Sequence, residues 1–138
     1  MADREAIENQ LMSWALGYDE FDVPRMANCF AKDAQMIMHI GLGDNVEDMG
    51  PFVGHEAVME LFTSHQEEQG DQRRHVTTNV VFENETDTTC DTTCYLTLLV
   101  TSQNVLRLQA TGVYRDNWVV EDGTWRIKNR DLSLDVHY

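Results

Sequence analysis

The chain is short of positive charge. Ten Lys and Arg stand against 24 Asp and Glu in 138 residues, a formal net charge of −14. Nucleic acids and anionic membranes are gripped by clustered cations, so neither is expected as a partner. The chain also lacks any apolar run near the ~20 residues of a membrane-spanning helix. Its first residues, "MADREAIENQ", have no apolar centre of the kind a secretory leader carries. A cytoplasmic location is the expectation. Cysteine is scarce and odd in number: Cys29, Cys90 and Cys94, with no C-x-x-C. A disulfide framework does not fit that count, and a zinc site would need more ligands nearby. "GLGDN" lacks the lysine and the strand–turn–helix setting of a phosphate loop. "GDNVEDMG" lacks calcium-loop spacing, and no serine-nucleophile motif occurs. No metal and no cofactor is therefore expected.

What is present is ordinary globular material, 42% hydrophobic and 25% charged, in a length that suits one domain over residues 1–138. Glu5 to Asp19 has helical periodicity. At roughly 100° per residue, Ile7, Leu11, Trp14 and Tyr18 fall together, with Ala15, Met12 and Leu16 widening the stripe. Pro24 suits the first turn of a second helix, Pro24 to Ala31, capped by Asp22. Ala34 to Ile40 reads as a strand, followed by a Gly- and acid-rich loop with a short strand near Phe52. "HEAVMELFTSHQEEQ" is a third helix. From Asp71 onward four β-rich runs follow, and "EDG" before Trp125 signals a hairpin. Helices first and antiparallel strands after imply an α+β fold, with helices packed on one face of a curved sheet.

Two residues are out of place in that pattern. Asp19 projects into the apolar arc of the first helix. Read from the helix alone, it is either a half-exposed last-turn residue or a pocket carboxylate, and a buried one must be paired. His75 shares a strand face with Arg73, Thr77 and Asn79, a mixture that suits a pocket wall or a solvated face. Val76, Thr78, Val80 and Phe82 take the other side.

Four stretches in order, "WALGYDEFDVPRMANCFAKDA", "FVGHEAVMELF", "RRHVTTNVVFE" and "GVYRDNWVVEDGTWRIKNRDL", resemble the SnoaL-like branch of the nuclear transport factor 2-like superfamily. The resemblance implies a cone-shaped, cystatin-like α+β barrel: a bent sheet wrapped by N-terminal helices around a pocket. Tyr18-Asp19 is similar to the Tyr-Asp pair of scytalone dehydratase. Asp19 also matches the helix aspartate of hexachlorocyclohexane dehydrochlorinase and of bile-acid 7α-dehydratase. In those enzymes that aspartate orients a histidine, which His75 matches here. Arg130 matches a pocket arginine of the dehydrochlorinase. Trp14 takes the place of a lysine or a tyrosine.

The resemblance thus implies Asp19 and His75 as a catalytic pair, with Trp14, Tyr18 and Arg130 binding substrate. The expected activity is a cofactor-independent lyase or isomerase, dehydratase in type, that takes a proton from a small, hydrophobic, cyclic substrate. The alternatives are a polyketide cyclase or epoxide hydrolase of the same fold, or a non-catalytic subunit such as the small subunit of a ring-hydroxylating dioxygenase. The apolar run "YLTLLV" and the family's habit of pairing through the sheet imply a homodimer or homotrimer.

Overall fold

A computed structural model of the chain describes residues 1–137. Helix α1 runs Arg4–Asp19, α2 Val23–Ala27 and α3 His55–Glu68. The strands are β1 Phe30–Ile40, β2 Glu47–Val53, β3 Gln72–Glu83, β4 Thr89–Ser102, β5 Val105–Glu121 and β6 Thr124–Leu134. All six form one curved sheet in the order β2-β1-β6-β5-β4-β3. Its edges, β2 and β3, do not pair with each other, so the sheet stays open rather than closing as a barrel. The α+β class stands, with one amendment to an all-antiparallel sheet. The β3–β6 meander delivers β6 running the same way as β1, and those two pair in parallel.

Local chemistry sets the element ends. The Asp3 carboxylate accepts the N–H of Ala6 and opens α1. Asp22 does the same for Arg25 at the start of α2, where Pro24 sits in the first turn. The second helix is shorter than the periodicity of Pro24 to Ala31 suggests, because Phe30 and Ala31 are already drawn into β1. The short strand expected near Phe52 in the acidic loop is longer than that reading: it is β2, Glu47–Val53, and pairs with β1. Gly17 lets α1 and α2 close up: a Cβ there would lie 3.0 Å from the Met26 backbone nitrogen. The turn joining β5 and β6 has positive φ at both Asp122 and Gly123, as a two-residue hairpin of this twist requires.

The core lies between α1, α3 and the inner face of the sheet. Ile7, Leu11, Trp14 and Tyr18 are buried as the helical stripe predicts. Met12 and Leu16 remain 43% and 49% exposed, at the edge of the stripe, where the Met12 sulfur accepts the Thr77 hydroxyl of β3 at 3.3 Å. Bulges decide which strand residues face inward. Between Thr78 and Val81 the β3 strand carries an extra residue relative to β4, with Asn79 at φ 58°. Arg73, His75 and Thr77 therefore lie on the inner face before the bulge, and Val80 and Phe82 on that same face after it. Between Gln109 and its flanks, β5 gains a residue against β4, since Leu98 pairs with Ala110 and Leu99 with Leu108. Between Ile127 and Asn129, β6 gains one at Lys128. Each one-residue slip exchanges the two faces of the strand beyond it.

Candidate active site

Asp19 closes α1, and His75 enters the inner face of β3 directly against it. One carboxylate oxygen, Oδ1, lies 2.6 Å from His75 Nδ1. The other, Oδ2, accepts the His75 backbone N–H at 2.8 Å. The two side chains are 6% and 9% exposed. A carboxylate that faces both a backbone N–H and a ring nitrogen selects the Nδ1–H tautomer. The Nε2 lone pair is then left for whatever enters from the other side.

The ring is held edgewise by two aromatics from α1. Its centroid lies 5.3 Å from that of Trp14 and 4.9 Å from that of Tyr18, at interplanar angles of 80° and 69°. Tyr18 donates its hydroxyl to Gln69 Oε1 at 3.3 Å. Trp14, Tyr18 and His75 all line a cavity of about 440 Å³. The two ends of the sheet furnish it differently. Strands β1, β2 and β6 supply Met36, Met38, Ile40, Met49, Leu132 and Leu134. The C-terminal end of α3, its cap residue and strands β3 and β5 supply His65, Glu68, Gln69, Arg73 and Gln109. One flank is thus soft and apolar, and the other carries the hydrogen-bonding groups with His75 among them.

Arg130 is not on the cavity wall. It is 1% exposed and forms a two-pronged pair with Asp116: Nε donates to Oδ1 at 2.8 Å and Nη2 to Oδ2 at 2.9 Å. Burial opposes its charge, but the Asp116 carboxylate outweighs that, so its pKa is raised and it stays protonated. The guanidinium packs over the rings of Tyr114 and Trp14, 4.0 Å and 4.7 Å from their centroids. Tyr114 and Trp14 do line the cavity. Arg130 therefore stands one layer behind the wall, turned inward by the extra residue at Lys128.

Sequence reasoning missed Gln69, Gln109 and His65 as lining groups. Gln109 was hidden because its orientation depends on the β5 bulge, and a bulge leaves no mark on hydrophobic alternation. Burial pushes the thiols of Cys29 and Cys94 up to about 11 and about 12, which leaves them poor nucleophiles. Among the described residues no group of three or more His, Cys, Asp or Glu is arranged to hold a metal ion.

A model of the SnoaL-like domain matches residues 1–131. The chain belongs to the SnoaL-like domain family. No curated protein matches it. Among solved structures, it is similar to a single-residue variant of Rv3472, a protein of unknown function from Mycobacterium tuberculosis. They share 22% identity at a TM-score of 0.78, over 96% of this chain and 72% of that one. An NTF2-like protein with a cystatin-like fold from Novosphingobium aromaticivorans gives 16% and 0.78, over 96% and 81%. A third, also from Novosphingobium aromaticivorans, is assigned as the beta subunit of an aromatic-ring-hydroxylating dioxygenase. It gives 14% and 0.81, over 97% and 90%. At these identities the shared feature is the NTF2-like, cystatin-like fold, on which many functions are built. No helix of the described residues is long and apolar enough to cross a membrane.

Proposed function

We propose that this SnoaL-like protein is a cofactor-independent lyase or isomerase in which His75 is the general base and Asp19 orients it. The single supporting observation is the 2.6 Å Asp19–His75 contact on the wall of a cavity with one apolar flank. In the reaction, Nε2 of His75 takes a proton from carbon beside a carbonyl. The C–H electrons form the carbon–carbon double bond of an enolate while the carbonyl π pair moves onto its oxygen. A β-substituent then leaves with its bonding pair (elimination), or the imidazolium returns the proton to another carbon (isomerisation). Asp19 stabilises the imidazolium that forms on the way. Trp14 and Tyr18 hold the ring and the flat face of the substrate, and the methionines accommodate a small, hydrophobic, cyclic body. Arg130 acts from behind them as support for Trp14 and Tyr114. The test is a screen of cyclic ketones bearing a β-hydroxyl or β-halide, followed by ultraviolet absorbance of the enone. Activity of wild type that persists in His75→Ala would sink the reading.

A second reading is a non-catalytic assembly subunit, favoured by the likeness to a dioxygenase beta subunit. Either reading places apolar contact on the outer sheet face, where Tyr95, Leu106 and Leu108 are 55%, 66% and 65% exposed. A homodimer or homotrimer is expected by sedimentation, and Leu106→Glu with Leu108→Glu should shift it to monomer. A wild-type monomer of 15.9 kDa at all concentrations would count against association.

A further inference from the structure

The end of α1 is fastened by two neutral amides. The last carbonyls of a helix have no partner within it, and here the last turn carries no basic side chain. The Tyr18 carbonyl accepts the Gln66 Nε2–H at 3.0 Å, from α3. The Asp19 carbonyl accepts the Gln72 Nε2–H at 2.8 Å, from the first residue of β3. The same Gln72 nitrogen reaches the Arg73 carbonyl at 3.0 Å. Asp19 is therefore tied at both ends to one short piece of strand: its backbone to Gln72, and its carboxylate to the N–H and ring of His75. Gln66 is 6% exposed, so its amide is committed to this contact.

We propose that Gln66 and Gln72 are positioning residues for the Asp19–His75 pair. The inference rests on the reading of that pair as the proton-transfer site. A carboxylate at the C-terminal end of a helix meets the negative end of the helix dipole, an unfavourable place. Lysine or arginine would satisfy the carbonyls there and ease that strain. Each would also set a full positive charge beside Asp19, in competition with the ring. Glutamine supplies the hydrogen bond without the charge, so the carboxylate is held in place yet kept for His75. The other charged and titratable groups around the ring are accounted for elsewhere. Arg73 on its own strand pairs with Asp71, His65 and Glu68 face the cavity from α3, and Arg130 pairs with Asp116 behind Trp14.

The experiment reads the ring directly. Long-range proton–nitrogen correlation spectra of ¹⁵N-labelled protein report which His75 nitrogen carries the proton, and exchange spectroscopy reports how fast that proton leaves. Wild type should show Nδ1–H with a bare Nε2. Gln72→Met should stay folded by circular dichroism yet show mixed tautomers, with Nδ1 proton exchange faster by up to about tenfold, the scale of one lost hydrogen bond. Gln66→Met should act in the same direction. Gln72→Glu, of the same shape but lacking the donor, should be at least as disruptive as Gln72→Met. It decides the matter if the methionine variants do not fold. Wild-type tautomer and exchange in every folded variant would overturn the positioning role while leaving the pair intact. A wild-type ring without the Nδ1–H tautomer would overturn the pair and the positioning role together.

Discussion

The partners of two buried aspartates both pack against one indole, that of Trp14. Asp19 faces His75, which lines the cavity. Asp116 faces Arg130, which stands behind the cavity wall. The second pair is sealed, with both side chains 0% exposed. The first is nearly so, at 6% and 9%, but its histidine lines the cavity. The difference lies in the partner. A guanidinium stays charged at any ordinary pH and can only complete a permanent dipole. An imidazole can take up and give back a proton. Under the proposed function, the same carboxylate chemistry would serve structure in one pair and proton transfer in the other.

The sealed pair should give the largest effect on stability. Arg130→Met leaves Asp116 buried and uncompensated, which costs about 3–5 kcal/mol. Arg130→Met with Asp116→Leu should recover much of that loss, because replacing both partners is often near neutral. Urea denaturation of the three proteins makes the check. If Arg130→Met is as stable as wild type, the division between a structural and a reactive pair is wrong.

The open pair should give the larger effect on turnover. With an active substrate in hand, His75→Ala and Asp19→Asn should each lower kcat, the former by about 10²–10⁴-fold. The double variant should lose little beyond the worse single one, since the two act as a unit. Both should remain more stable than Arg130→Met. Additive losses in the double variant would mean that Asp19 and His75 act separately.

How much of this contrast was legible in the sequence depends on parity. Asp19 could be placed in the buried arc because α1 is an unbroken helix and its 3.6-residue period holds from Ile7 to the end. His75 could be put on one strand face with Arg73 and Thr77 because the bulge in β3 comes after them. Asn79, beyond that start, fell on the wrong side of the pattern. Arg130 sits past the extra residue at Lys128. Counting in twos from Trp125 and Ile127, both buried, sends Arg130 outward, and the fold turns it in. Its charged character then hides its burial, since only the pairing with Asp116 across β5 and β6 makes burial tolerable. Both features depend on tertiary pairing that no local window contains. The length of β2 was lost for a related reason: its Gly- and acid-rich composition reads as loop, and pairing with β1 overrides that preference.

A third aspartate pair, again with a histidine, completes the series at the surface and should give the smallest effect. On the outer face, His39 Nδ1 lies 2.6 Å from Asp48 Oδ1 and Nε2 lies 3.2 Å from Asp131 Oδ2. The Asp48 hydrogen bond above all, opposed by burial and aided by Asp131, raises the His39 pKa above its ordinary value. A raised folded-state pKa means that the folded protein holds the proton more tightly than the unfolded chain. The stabilisation is therefore fully present below the unfolded value near ~6.5 and fades as pH rises through the folded one. Asp48 is 62% exposed and water screens the contact, so its worth is under about 1 kcal/mol. His39→Gln should thus be less stable than wild type at pH 5.5 and nearly equal to it at pH 9. The acidic chain repels itself more as pH rises, but that acts on both proteins and cancels in the difference. Urea midpoints measured in parallel at the two pH values decide it. A deficit of the variant that is the same at both would mean that the His39 charge has no part in stability, and that depth does not grade these three contacts.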